Sequence, residues 1–589
     1  MPVNDDIAAD PLSSVRGQEA IAADFLVSVQ GQTVTRPDST GLLPLVIGVT
    51  GHRDLDRADY PIYRARVAEL LTSLRRQYPA TPLRILSSLA EGADRLAAEV
   101  ALEHQCELLV PLPLEPAEYE RDFPDSTEEF RSLLGRVPAE HVFVLEHTAG
   151  HAPPHWSAAG HRDLSYREAG AYMAAHSHVL LALWDGLDND SIAGTAAVVR
   201  LKLEGQSLSH ALDPRALDSD DTGPVFHVQS PRIGSGIGAD QRARWLFPRD
   251  SDAKAFHAVC RHLDRFNRDA RDAQDEPATA EAAASLLPEL EARPGGDRMV
   301  ARTFARADRL ARHHQRLTHA VLRLILGLAA ALALTFEVYA EILPRREVPA
   351  VYLLLFSAVA GLYLWQRRRD AQGRYLDYRA LAEGLRVQFY WRVAGLRDNA
   401  ASNYLRKQLD ELRWIREALR GANAVPPSRQ PRLDLVMNCW VQGQARYYRN
   451  RARTQRSRIS RVEHLSSLCL ATGLLATAAL VIFWNRLAPI GEWRHWLVVV
   501  MGFAPIAAAL WEAYGERFGL RTQAHQYARF AIIFGRAEQA IVRLEATPAA
   551  KRRHESERAL IRELGRESLM ETGDWVLLLR DRPIVLPKG

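Results

Sequence analysis

Four long apolar runs in the second half of the chain restrict its fold more than any other feature of the sequence. They are LILGLAAALALTF (324–336), VPAVYLLLFSAVAGLYLW (348–365), LSSLCLATGLLATAALVIFW (465–484) and WLVVVMGFAPIAAALW (496–511), each set among charged neighbours. A helix needs roughly 20 apolar residues to cross the hydrocarbon of a bilayer. The third run reaches that length alone, and the others reach it with the tolerant residues that flank them. Trp365, Trp484, Trp493, Trp496 and Trp511 stand at the ends of the runs, where an interfacial belt places them. The expectation is four membrane spans rather than a buried soluble bundle. The first run is the least regular, because Arg323 has to snorkel at its start and Glu337 and Glu341 stand near its end.

Arginine asymmetry supplies an orientation. Arg367, Arg368, Arg369 and Arg374 follow the second run, and Arg449, Arg451, Arg453, Arg456, Arg458 and Arg461 precede the third. The hairpins on the other side, EILPRREVP and NRLAPIGEWRH, are poorer in basic residues. Short cytoplasmic loops collect Arg and Lys, so both termini are expected in the cytoplasm. The membrane half also repeats. A basic helix, a span, a short hairpin, a span and an aromatic, Arg-bearing helix occur twice, ending in RYLDYRALAEGLRVQFYW (374–391) and RTQAHQYARFAIIFGRAEQAI (521–541). Two tandem two-span modules follow, 301–425 and 426–589, the second with a C-terminal helical tail.

At 589 residues the chain exceeds one ordinary core, and the part before the spans has a different rhythm. From about residue 45 to 205, β-rich apolar runs (LVIGV, LRILSS, CELLVPL, HVFVLE, HVLLALW) alternate with helix-period stretches. That alternation predicts an α/β domain with a mostly parallel sheet covered on both faces, over 41–272. SHALDPRALDSDDTGP reads as an exposed insertion before a short last strand, VFHVQ, and a helix is expected from Ala253 to Arg271. A Pro/Ala/Glu-rich linker over 273–300 then leads to the spans, and 1–40 reads as a tail without the basic and apolar regions of a signal peptide. The net charge of +4 gives no global basic field, so no nucleic-acid partner is expected. Cys106, Cys260, Cys439 and Cys469 form no CxxC pair, which fits a reducing compartment and no zinc ribbon.

The pentapeptide GHRDL occurs at 51–55 and again at 160–164. The first copy follows the strand LVIGV, so Thr50, Gly51, His52 and Arg53 fall at a strand's carboxyl end, where parallel sheets bind ligands. Backbone N–H groups and helix N-termini on that edge suit phosphate. Two further loops are expected to converge there: SSLAEGADR, with Ser88, Glu91, Gly92 and Asp94, and WDGLDNDSIAGTAAVV, with Trp184, Asp185, Gly186, Gly194 and Thr195. Gly51, Arg53, Gly92 and Thr195 are expected around one phosphate. The second copy follows a Pro-Pro loop and precedes Ser165-Tyr166-Arg167-Glu168, a capping-box pattern. It reads as a loop leading into a helix over 166–176.

IGVTGHRDL, SSLAEGADRLAAE, LPLEPAEYERDF, YREAGAYMAAHSHVLLALWDG and the late GTAAVV resemble the SLOG domain, a Rossmann-like nucleotide-sensing or nucleotide-processing fold. The doubled span unit is similar to the SLATT module, a two-span effector of bacterial conflict systems. The resemblance implies a cytoplasmic sensor of a nucleotide-derived ligand, joined to an effector in the bacterial cell membrane. It departs from the phosphoribohydrolase branch of the fold, whose GGxGTxxE motif carries a catalytic Glu. Here Ile192, Ala193, Gly194, Thr195, Ala196, Ala197 and Val198 stand in its place, so hydrolysis by that route is not expected.

Other patterns leave alternatives open. His147, His151, His155 and His161 crowd one loop without a scaffold that fixes metal geometry, so no metal is expected. IGSGIG (233–238) half matches a dinucleotide loop and reads as a turn. Asp94, Glu91 and Asp185 fit either catalytic carboxylates or caps, and no GxxxxGK[ST] loop is present. The expected function is a nucleotide-sensing, oligomeric membrane effector of antiviral or conflict type, opening a pore or disrupting the bilayer, with Glu337 and Glu341 as pore candidates. The alternatives are a membrane-anchored nucleotide-processing enzyme and a nucleotide-regulated ion channel.

Overall fold

Near-continuous runs of Val, Ile and Leu form strands buried on both faces, and they do so here. The computed structural model describes residues 41–145, 158–187, 194–205, 222–233, 242–273, 276–404, 412–427, 430–487, 491–545 and 550–580. The chain divides into two compact units, Met1–Asn267 and Arg268–Gly589.

The first unit is α/β. In chain order it contains β1 (Leu45–Gly51), α1 (Tyr60–Gln77), β2 (Leu83–Leu86), α2 (Ala93–Glu103), β3 (Glu107–Leu112), α3 (Thr127–Gly135), β4 (Val142–Val144) and α4 (Ala158–His176). It continues with β5 (Val179–Trp184), α5 (Thr195–Glu204), β6 (Val225–Gln229), β7 (Ala243–Leu246) and α6 (Ala253–Asp272). Among the described residues seven strands form one sheet in the order β4-β3-β2-β1-β5-β6-β7. All neighbours are parallel except β6 and β7. β1 lies between β2 and β5, with Leu45 opposite Leu83 and Gly51 opposite Leu183, so the direction of strand addition reverses beside β1. The core runs through Leu45, Val46, Ile47, Leu180 and Leu183, none with accessible surface. Lys202 of α5 is also fully buried, and its Nζ donates to the carbonyls of Ala174 and Ser177 at the end of α4, which matches a cation to the negative end of a helix. The α6 side chain of Asn267 clamps the main chain of Leu43 just before β1.

Three local expectations are corrected. β7 went unforeseen because ARWL is short, polar and antiparallel at the sheet edge. α4 starts at Ala158, so the second GHRDL lies within a helix, and Ser165 is a buried residue of that helix rather than its cap. The segment expected as a linker is helical over Glu276–Ala284 (α7), and Leu286, Leu287 and Leu290 are buried, because the apolar residues spaced along it find a partner helix. The polar insertion (all but its last residues), the IGSGIG string after Ile233, and His147, His151 and His155 lie outside the described residues.

The second unit is all helical. It contains α8 (Gly295–Glu341), α9 (Glu347–Arg369), α10 (Ala371–Val393), α11 (Arg413–Ala422), a π-helical stretch at Val436–Gln442, α12 (Gly443–Leu487), α13 (Gly491–Arg517), α14 (Leu520–Glu545) and α15 (Ala550–Arg580). Among the described residues four helices are long and apolar enough to cross a membrane, with mean hydropathies of 2.0, 1.9, 2.1 and 1.7. Their apolar windows are only 17%, 6%, 22% and 17% buried, so these side chains do not form a water-soluble core. Leu353, Leu474, Val481 and Ile482 face outward, consistent with a membrane protein of four spans. The two hairpin modules correspond: α8 packs along α10 as α12 packs along α14, and α9 and α13 return beside α8 and α12. Spans three and four approach closely where Gly473 meets Ala504, and Ser466 donates to the Ala508 carbonyl, as small residues allow between membrane helices.

Candidate functional site

The loop after β1 is built from the inside out. His52 is 4% exposed; its backbone N–H donates to the Leu183 carbonyl and its own carbonyl accepts from Ala93 N–H, so it bolts β1 to β5 and to the start of α2. Its Nε2 accepts from the Asp185 N–H at 3.2 Å, and burial holds its pKa below the ordinary value against the pull of the Asp185 carboxylate. A neutral ring is the form that accepts at Nε2, and the imidazole is therefore a scaffold member rather than a phosphate donor.

The glycines of this edge serve the same approach. A Cβ on Gly51 would stand 2.3 Å from Ala93 Cβ, and one on Gly92 would stand 2.4 Å from the Arg53 carbonyl oxygen. Gly92 also has φ +73, a backbone state that side chains rarely adopt. Both glycines thus let the first two loops touch each other, and neither keeps its open face for a phosphate as the sequence had suggested.

Most other expected residues hold the loops in shape. Thr50 closes β1 opposite Ala182. Ser88 Oγ donates to the Pro111 carbonyl, and Ser126 Oγ donates to the Glu91 carboxylate. Trp184 Nε1 donates to the Leu187 carbonyl, Asp185 accepts from Leu187 N–H, and Gly186 makes the turn between them with φ +83. Gly194 precedes α5 and Thr195 opens it. Among the described residues no hydrogen bond or ion pair joins either to the first two loops. Residues 188–193, including Ile192 and Ala193, lie outside the described part.

Arg53 and Asp94 remain, and they come together. Arg53 is exposed, its guanidinium 4.8 Å from the centre of the Tyr166 ring. Asp94, in the first turn of α2, is 8% exposed. Burial pushes its carboxyl up to about 7, against the Ala90 N–H, the positive charge of Arg53 and the Ser88 N–H, which favour the anion. Among the described residues no ion pair neutralises it. Beside them Tyr119 is fully buried and its hydroxyl has no hydrogen-bond partner among the described residues, while the same ring packs 6.1 Å from that of Tyr166.

Tyr119, Tyr166 and their supports were missed as site residues. The Tyr166 hydroxyl bonds to Asp122, and Arg162 of the second GHRDL grips Asp122 and Glu118, so the second copy braces the tyrosine on which Arg53 rests. The signal lay in LPLEPAEYERDF and YREAGAY, whose Glu118, Tyr119, Asp122 and Tyr166 meet here. Arg95, next to Asp94, donates to Leu89, Ser126 and Glu129 and lies 4.5 Å over the Phe123 ring, while its buried Nη2 has no hydrogen-bond partner among the described residues. The cluster can do two things chemically: hold an anion at the exposed Arg53 guanidinium, and exchange a proton at Asp94 near neutral pH.

No protein-family model matches the chain, and no curated protein matches it.

Proposed function

We propose that the first unit senses a nucleotide-derived anion and that its occupancy biases the state of the membrane unit. The observation that carries this reading is the meeting of Arg53, Asp94 and the unpartnered Tyr119 hydroxyl where strand order reverses, the place where open α/β sheets bind ligands. In this reading both termini and the sheet are cytoplasmic, the four helices sit in the cell membrane of a bacterium, and an oligomer of the chain opens a pore or disrupts the bilayer in conflict defence. A ligand shifts that equilibrium only by its differential affinity for the two states. Glu337 abuts Gly502 of the fourth span and Glu341 pairs with His495 at 3.5 Å, so both carboxylates point between helices of one chain. Rings of such carboxylates in an oligomer favour cations.

The test is a titration of the full-length protein in nanodiscs with a panel of adenine and guanine nucleotides, followed by an ion-flux assay in liposomes. Arg53→Ala should weaken the best nucleotide by about ten- to a hundredfold, the worth of one charge-assisted bond. Unchanged binding, or sealed liposomes at saturating nucleotide, ends the sensor reading.

A second reading has its own support. A carboxyl balanced near neutral pH is suited to general acid–base work, and Asp94 is such a group. The protein would then be a membrane-anchored enzyme acting on a nucleotide. Recovery of the bound nucleotide intact after incubation separates the sensor from the enzyme.

A further inference from the structure

The second unit holds a chemical feature that the sensor reading does not use. At the charged ends of the spans, α8, α10, α12, α14 and α15 enclose a cavity of about 300 Å³. Its walls carry Arg312, Arg379, Arg451 and Arg458 against one carboxylate, Glu383. Two of these cations are engaged, since Arg379 bridges Asp308 and Glu383 and Arg312 pairs with Asp308. Among the described residues Arg451 and Arg458 meet no carboxylate, and Arg451 lies 5.3 Å over the Tyr447 ring. Trp575 lines the cavity at 6% exposure, and its indole N–H has no acceptor among the described residues.

A second cavity of about 470 Å³ continues the first, sharing His319, Arg458 and Gln523 with it. It adds Arg323 and Arg461 beside a floor that includes Val462, Leu465, Trp511 and Phe518. Among the described residues the side chains of Arg323 and Arg461 return only to carbonyls of their own helices, at His319 and Ser457. Burial, then the charges of Arg323 and Arg458, hold His319 down to about 4, so the ring is neutral and the positive field belongs to arginine.

We infer that the joined cavities bind a phosphate ester, and that its source in the membrane is an anionic phospholipid. Guanidinium groups and an acceptor-seeking indole N–H match phosphate oxygens, and Leu465 and Trp511, at the ends of the third and fourth spans, give the acyl chains an apolar route toward the bilayer. A diffuse attraction of basic residues to headgroups accounts for exposed arginines. It does not account for six arginines gathered around one concavity that runs onto an apolar floor at the span ends.

The experiment uses the full-length protein in nanodiscs of neutral lipid alone or of neutral lipid doped with phosphatidylglycerol, read by native mass spectrometry of retained lipid and by thermal unfolding. A second arm adds inorganic phosphate or AMP to the neutral nanodiscs. Both arms are repeated on Arg53→Ala, which removes the first unit's proposed site from the readout. Phosphatidylglycerol should be retained selectively. The double substitution Arg451→Gln/Arg458→Gln should lower retention by at least about tenfold, Trp575→Phe by a few-fold, and Arg456→Gln, on the same helix outside the cavities, not at all. Variant-sensitive stabilisation by free phosphate or AMP without anionic lipid would keep the phosphate site and overturn the lipid as its source. Equal effects of Arg456→Gln and Arg458→Gln, or retention untouched by the double substitution, would overturn the site itself.

Discussion

Two carboxylates, one in each unit, are buried at the start of a helix and treated in opposite ways. Asp297, at the start of α8, has no accessible surface, and it accepts from Arg293 Nε and Nη2 and from Arg392 Nε at 2.8–3.0 Å. Arg392 in turn donates to the Asn423 side chain and to the carbonyls of Val425 and Pro426, so this buried network is closed on itself. Asp94, at the start of α2, has backbone N–H donors but no ion pair among the described residues, and the cation that acts on it, Arg53, is exposed and rests on an aromatic ring. A buried charge left without a partner is expensive. Where every donor and acceptor is matched, the group holds the fold together; where the match is left incomplete, a proton or a ligand has to complete it.

The largest expected effect tests the closed network. Arg392→Ala leaves Asp297 with one cation and empties a packed site, and should cost about 3–5 kcal/mol in urea unfolding of the detergent-solubilised protein. A loss below about 1 kcal/mol would show that the network is not what holds these helices.

Asp94→Asn tests the open one. Between the ordinary carboxyl value of 3.8 and its folded value of about 7, Asp94 is protonated in the fold and ionised in the unfolded chain. The folded state therefore binds the extra proton, and the first unit loses stability as pH rises across that window. The Asn variant should gain on the parent by about 4 kcal/mol near pH 8 and lose that advantage near pH 4, in unfolding followed across pH. An advantage independent of pH would mean that Asp94 is ionised in the fold.

Arg162→Ala sharpens the division of labour between the two GHRDL copies. Among the described residues Arg162 reaches the proposed anion site through Asp122 and Tyr166, so nucleotide affinity should fall a few-fold in calorimetry, well short of the loss at Arg53. Equal losses would make the second copy a direct contact. The smallest effect is expected at the half-exposed Glu341–His495 pair, where Glu341→Gln should change thermal unfolding by about 0–1 kcal/mol.

The residues alone determined the division into a strand–helix part and a four-span part, because long apolar runs and their alternation with helix-period stretches admit few other solutions. They also located Arg53 and Asp94, since the loop after a buried parallel strand falls on the ligand-binding edge. Tertiary structure decided the rest. Ser165 carries a capping pattern, yet it is buried inside α4, because packing of the helix outweighs a local four-residue signal. Gly51 and Gly92 look like phosphate-loop glycines, but Gly51 packs against Ala93 and Leu183 and Gly92 against the carbonyls of His52 and Arg53, which only contacts between segments distant in sequence can reveal. Whether a polar group is satisfied is likewise a property of its neighbours in space: the hydroxyl of Tyr119 and the indole N–H of Trp575 are unremarkable letters until the surroundings leave each of them buried without a partner among the described residues.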